Sequence, residues 1–218
     1  MRTGAAVTLV YGEEELLART RPLFETATDV ACAANHLGTW AMSRDSSWFD
    51  DLAMRSRDKV RVRKVFRAGT LLDPASAQHL ATVQQAYGAQ IRITTDEINE
   101  TIIFDRRLAV LAGDVRAGRR GYSVISQPEV VQGITSLFEA AWRTSTDLDG
   151  YDARIAEVRE LAPRVLDLLA RGTKDEAAAR LLGLGVRTYR RRVAELMDAL
   201  GADSRFQAGV RAGELGLV

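Results

Sequence analysis

The sequence predicts two units: an α/β domain with a mixed sheet flanked by helices over residues 1–145, and an all-α domain of four helices over residues 154–218. Three observations carry this. Short apolar, strand-like runs alternate with helix-like segments as far as Trp142. A polar, glycine-containing stretch, Thr144 to Asp152 (TSTDLDGYD), then interrupts the pattern. From Ala153 onward only helical periodicity remains, so residues 146–153 are read as a linker.

In chain order, Val7 to Tyr11 is a short apolar strand. Glu13 to Ala27 has a helical rhythm through Leu16, Leu17, Leu23 and Phe24, with a break expected at Pro22. Val30 to Ala34 has the pattern of a buried strand, and Trp48 to Arg57 that of a helix. Val60 to Phe66 alternates strictly, as a half-exposed strand does. Pro74 to Tyr87 is a helix closed by Gly88, followed by a strand at Ile91–Ile93. Thr101–Phe104 and Leu108–Leu111 flank Asp105-Arg106-Arg107 as a hairpin, and Tyr122–Ile125 is a further strand. Pro128 to Trp142 is amphipathic. Alternation of this kind points to a substantially parallel sheet.

In the second unit the first helix carries Val158, Leu161, Val165, Leu166, Leu168 and Leu169 and stops at Gly172. Pro163 should delay its well-formed part to near Ala162. Thr173 is placed to cap a short helix bearing Ala177, Ala178 and Leu181. Gly183-Leu184-Gly185 makes a turn, Val186 to Leu200 is the third helix, and Ser204 caps the fourth.

Composition narrows the function classes. With 46% hydrophobic and 27% charged residues and a net charge of +1, the chain is neither a polycation nor disordered. It has no 18-residue apolar run, so no membrane span is expected. The apolar stretch after Met1-Arg2-Thr3-Gly4 is ended by Glu13-Glu14-Glu15, too soon for a signal-peptide core. The one cysteine, Cys32, excludes an internal disulfide and fits a cytoplasmic protein. Residues 154–218 carry 12 Arg/Lys against 9 Asp/Glu, with four arginines between positions 187 and 192. That is a local basic stripe on a near-neutral chain.

Two helices joined by a short glycine-containing turn, the second rich in arginine, is the helix-turn-helix arrangement, in which the second helix enters the major groove of DNA. Spacing puts Val186, Tyr189, Val193 and Leu196 on the inward face of the third helix, and Arg187, Arg190, Arg191 and Ala194 on the outward one. The landmarks Leu168-Leu169-Ala170-Arg171-Gly172, Asp175 to Gly183, Val186 to Val193, and Leu200-Gly201-Ala202-Asp203-Ser204-Arg205-Phe206-Gln207-Ala208 resemble the LuxR-type helix-turn-helix family in order and spacing. The resemblance covers about the last 60 residues. It implies that Arg190, Arg191 and Ala194 face base edges and that Arg187, Thr188 and Arg192 contact phosphates. Three departures from the family stand at Ala162 (usually glutamate), Gly185 (usually a serine cap) and Arg192 (usually histidine).

A second resemblance lies in Gly88 to Ile93, Thr101 to Asp105, Gln127 to Val131, and Leu137-Phe138-Glu139-Ala140-Ala141-Trp142. These are similar to the phospholipase D-like, TrmB-like sensor domains of certain bacterial and archaeal regulators, over about residues 10–145. Active members of that superfamily need His-x-Lys, then four intervening residues and Asp, with histidine attacking phosphorus and lysine stabilising its charge. Counting back from Asp105 gives Ile98 and Glu100 at those places, so no catalytic residue is expected, nor any metal or cofactor.

The resemblance implies a catalytically dead sensor whose crevice holds Asn35, His36, Trp40, Asp96 and Glu100. Its acids suggest a neutral or cationic effector. A domain that only dimerises the protein is the alternative, and so is a receiver domain, for which Glu13 and Glu14 after a strand are suggestive. A receiver also needs a phosphorylatable aspartate and a lysine at strand ends, whereas Asp50 and Asp51 lie in a helix-like stretch and Lys64 is mid-strand. The expected partners are double-stranded operator DNA, a second copy of the chain and an unidentified small molecule, with room for RNA polymerase.

Overall fold

The computed structural model describes residues 6–35, 37, 60–116 and 118–218. The first unit runs β1 (Val7–Tyr11), α1 (Glu13–Thr26), β2 (Asp29–Ala34), β3 (Arg61–Arg67), a 3₁₀ turn (Ala68–Leu72), α2 (Pro74–Tyr87), β4 (Gln90–Thr94), β5 (Thr101–Phe104), β6 (Leu108–Arg116), β7 (Arg119–Ile125) and α3 (Pro128–Thr144). Then come β8 (Thr146–Asp147), α4 (Leu148–Ala170), α5 (Asp175–Leu182), α6 (Val186–Leu200) and α7 (Arg205–Glu214). The helix expected at Trp48–Arg57 lies outside the described residues.

The strands form one sheet in the order β1-β7-β6-β5-β2-β3-β4-β8. Only β2–β3 and β3–β4 are parallel, and every other pairing is antiparallel, so the sheet is mixed, as expected for the first unit, and not the substantially parallel one that alternation alone suggests. The short Asp105–Arg107 connection allows only an antiparallel return between β5 and β6, as the hairpin reading anticipates. Along β2, Val30, Cys32 and Ala34 enter one core with Phe24, Phe66, Ile93 and Ile102. Ala31 and Ala33 face the other core with Val65, Ile103 and Ile125, under Val131 and Phe138 of α3. Burial pushes the Cys32 thiol up to about 11, which leaves it an inert core group.

β3 departs from the half-exposed strand expected of it. It lies inside the sheet, and Arg63 is only 3% exposed. The guanidinium is held by Glu139 of α3 at 2.8 Å and Asp29 at 3.4 Å, and it lies over the rings of Phe138 and Trp142. Burial raises the Glu139 carboxyl, but the hydrogen bond from Arg63 and the charges of Arg63, Arg106 and Arg61 more than reverse this, and its pKa ends lowered. The ion pair thereby fastens α3 to the sheet.

Both prolines expected to break helices sit inside them, Pro22 in α1 and Pro163 in α4. Each removes one backbone donor, and packing outweighs that loss. α4 begins well before Ala162, because Asp147 caps it through the Gly150 N–H at 2.9 Å and Leu148, Tyr151, Ile155 and Val158 make a buried stripe. Residues 146–153 are therefore no polar tether. Thr146 and Asp147 pair with Ile93 and Arg92 of β4, and Leu148 onward is helix.

α4 packs on the 3₁₀ turn, β4 and α2, and against α5, α6 and α7. Arg159 of α4 donates to the Leu71 carbonyl and pairs with Asp152. Gly69 in the turn lets the C-terminal unit come close: a Cβ there would lie 2.8 Å from Leu215 Cδ1. One apolar cluster runs from Leu71 and Leu72 through Ile155 to Leu196, Ala199 and Leu200. α5 is capped at Lys174 without a side-chain bond, not at Thr173 as expected.

Because one cluster crosses from the sheet to the last helices, thermal unfolding followed by tryptophan fluorescence and by far-ultraviolet circular dichroism should show a single shared transition. Ile155→Ala should destabilise that transition by about 2–5 kcal/mol. Two separated transitions, or loss confined to one signal, would contradict a shared core.

Candidate nucleic-acid interface and crevice

The turn between α5 and α6 is set by Gly183, whose φ of 70° is in the left-handed region that glycine enters freely. Leu184 N–H donates to the Ala179 carbonyl at 2.8 Å and Gly183 N–H to that of Arg180 at 3.1 Å, closing α5. α6 then starts at Val186 with no side-chain cap from Gly185. Tyr189, Val193 and Leu196 are buried and Val186 is half-buried, while Arg187, Arg190, Arg191 and Ala194 are exposed, as the spacing requires. Thr188 is half-buried beside them.

The four arginines differ in what they hold. Arg190 donates to Asp175 at 2.7 Å and reaches Glu176 at 3.4 Å, both in the first turn of α5. Asp175 also takes Arg205 of α7 at 2.8 Å, so one carboxylate ties the starts of α5 and α7 to α6. Arg192 has a side chain only 15% exposed, turned toward Glu157 of α4 and Glu195 at 2.8 Å. It sits where a clamp within the unit sits, away from the outward face. Arg191 is 62% exposed with Glu195 at 3.9 Å, and Arg187 meets no carboxylate among the described residues.

The crevice lies at the C-terminal ends of β2, β3 and β4, where open α/β sheets bind ligands. Asn35 follows β2, and its N–H donates to Glu100 at 3.3 Å. Glu100 is in turn bound by Arg120 of β7 at 2.5 Å, with the carboxylate side chain 11% exposed. Asp96 is exposed, its N–H donating to Thr94 Oγ1. His36 and Trp40 lie outside the described residues. Asp105 is at the opposite end of β5, with φ 49°, accepting from the N–H groups of Thr28 and Asp29 at 2.8 and 2.9 Å. It braces the entry to β2 and does not face Glu100.

Sequence reasoning missed Arg67, Arg120 and the far wall. Arg67 ends β3, and the Nη2 of its guanidinium is buried with no hydrogen-bond partner among the described residues. A cavity of about 390 Å³ is bounded by Asn35, Arg67, Glu97 and Ile98, and on its other side by Gln207, Arg211 and Glu214 of α7. Arg211 bonds Glu97 at 2.7 Å. The bond from Arg211, and then the charges of Arg211 and Arg67, lower the Glu97 pKa. The strand-end position of Arg67 is the one signal that could have drawn attention to it. Pairing over 114 residues between Glu97 and Arg211 has no local trace. Glu100 is thus paired with Arg120, and in the cavity Arg67 and Arg211 stand beside Glu97 and Glu214.

No protein-family model matches the sequence. The chain is 32% identical over 160 residues to the bialaphos biosynthetic pathway regulatory protein of Streptomyces hygroscopicus, covering 73% of this chain. It spans 62% of that relative's length. Nuc, a phospholipase D family member from Salmonella typhimurium, superposes with TM-score 0.51 at 14% identity over 65% of this chain and 96% of that one. TrmBL2, an archaeal chromatin protein, aligns at TM-score 0.49 and 16% identity over 66% of this chain and 55% of that one. The mixed sheet with its flanking helices thus has a phospholipase D-like fold. Among the described residues no helix is long and apolar enough to cross a membrane.

The bonds from Arg190 and Arg205 outweigh partial burial and lower the Asp175 pKa. A carboxyl depressed on folding stabilises fully above its unfolded pKa of about 3.9, and that stability is lost as pH falls through the folded value. Asp175→Asn should therefore lower Tm at neutral pH, with the gap to the parent chain closing in acid. A pH-independent gap in thermal melts would show that packing, not charge, makes the difference.

Proposed function

We propose that the chain is a sequence-specific DNA-binding transcriptional regulator of the cytoplasm, whose last four helices form a LuxR-type helix-turn-helix unit. The observation that carries this reading is the outward face of α6, where Arg187, Arg191 and Ala194 stand exposed just after a glycine-closed turn. An arginine fork matches guanine O6 and N7, and a neighbouring cation grips phosphate. A relative that is a pathway regulatory protein supports the same reading.

Arg191 and Ala194 take the base-facing role, joined by Arg190 once it leaves Asp175. Arg187 and Thr188 take the phosphates, and Arg192 serves as a clamp to α4. The assignment of units is 1–145 for the phospholipase D-like domain and 154–218 for the DNA-binding one, joined by the continuous start of α4. A single such unit reads few base pairs, so the reading includes a homodimer on two half-sites. Edge strand β1 offers a surface for it: Val7, Leu9 and Tyr11 are exposed, on the sheet face that carries Ile125.

The first domain acts without catalysing. Ile98 and Glu100 occupy the positions of the phospholipase D histidine and lysine, and Glu100 is already bound by Arg120. Its crevice senses a small molecule and biases DNA binding through α4 and α7. A receiver function draws no support from Lys64, which sits mid-strand opposite Cys32.

Fluorescence anisotropy with a selected duplex and a scrambled one tests this. Affinity should fall steeply with salt as counterions return to the phosphates. Arg191→Ala should lose about 1–3 kcal/mol of discrimination at one base position. Arg187→Ala should weaken both duplexes alike and reduce the salt slope by about one. Equal losses from Arg191→Ala on both duplexes would contradict the base-reading role.

A further inference from the structure

We infer that the cavity between the crevice and α7 is a binding site for a small metabolite bearing a compact oxyanion, carboxylate or phosphate, seated between Arg67 and Arg211. This rests on the sensor reading above and names the chemistry of its effector. Three features of the cavity point to an anion. Arg67 lines the cavity, and its guanidinium makes no ion pair among the described residues, while its Nη2 is buried without a partner beside Gly201. Burial and then the nearby charge of Arg211 lower the Arg67 pKa, with Glu97 and Glu214 opposing them only in part, so the two cations face one another across the space. The volume of about 390 Å³ is that of a small-molecule site.

The carboxylate now on Arg211 belongs to Glu97, whose side chain is 77% exposed. An entering oxyanion takes over that bond and adds one from the side of the Arg67 guanidinium that lines the cavity, while Glu97 swings into water at little cost. Glu214 on the far wall limits the charge that fits, favouring a single anionic head on a neutral or zwitterionic body. Asn35 offers amide groups to that body.

The location gives the ligand leverage. Arg67 also packs against Gly201, at the C-terminal end of α6: a Cβ on that glycine would lie 2.2 Å from Arg67 Nη2. One wall of the site thus touches the end of the proposed recognition helix, and the other is the last helix of the same unit. An anion bridging Arg67 and Arg211 holds α7 on the crevice and binds this docked arrangement in preference to any other, which is the condition for coupling.

The test uses the full chain and a thermal-shift panel at constant ionic strength set with chloride. Inorganic phosphate and glucose 6-phosphate form one arm, acetate and succinate a second, and glucose and spermidine the controls. A saturable rise in Tm within one anionic arm, absent in the controls, is expected and names the source of the oxyanion. Arg67→Met and Arg211→Gln, each checked for native circular dichroism, should weaken the response at least tenfold by isothermal titration, with partial recovery in Arg67→Lys. Should no anion stabilise the chain, only the controls do so, or the responses survive both substitutions, the site is refuted. Anisotropy with the duplex, run without anion, keeps the two readings apart. Duplex binding without an anion response sinks only the site, and an anion response without duplex binding sinks only the DNA-binding reading.

Discussion

A single helix, whose buried stripe joins the sheet and the last helices in one core, governs the arrangement of this chain. α4 is 23 residues long, about 34 Å at the rise of an α-helix. Leu148, Tyr151, Ile155 and Val158 belong to its first half, and Ala162, Val165, Leu166 and Leu168 to its second, all in one buried cluster. Each large apolar side chain buried this way contributes about 1.5–3 kcal/mol. The register of α4 therefore fixes where the basic face of α6 lies relative to the crevice. The 3₁₀ turn at the end of β3 is the counterpart surface, and Gly69 within it admits Leu215.

Charge distribution follows a division of labour among arginines. Arg63 is spent inside the sheet on Glu139 and Asp29, Arg120 on Glu100, and Arg192 on Glu157 and Glu195. Arg187 and Arg191 on α6 face outward, and Arg67 in the crevice keeps a guanidinium nitrogen with no hydrogen-bond partner among the described residues. The same residue type thus serves as internal fastening and as prospective contact, and partner geometry separates the two. Asp175 stands between these uses, because its carboxylate keeps Arg190 ready but occupied.

Much of the fold was legible where one period dominates. β1 and α2 have the predicted bounds, and Gly88 ends α2 in the left-handed conformation that its position suggests. Residues 146–153 misled because polar composition says nothing of backbone pairing: Asp147 and Gly150 read as loop, yet they build a helix cap. Pro22 and Pro163 misled because local cost was weighed without the packing that exceeds it. Strict alternation in Val60–Phe66 looked like exposure, whereas Arg63 is buried with partners 34 and 76 residues away. The outward face of α6 was read correctly, but Arg192 lies at its margin, three residues from Tyr189 and four from Leu196, where a long side chain reaches α4 instead. The crevice was half visible: Asn35 and Glu100 do meet, while Arg211 comes from the opposite end of the chain.

The most direct test of the central claim, that α6 reads DNA sequence, is selection of duplexes by the full chain from a randomised library, followed by sequencing. Enrichment of a short G·C-containing motif, repeated as two half-sites about one helical turn apart, is expected. A library that emerges unenriched, bound with only general affinity for DNA, would contradict it.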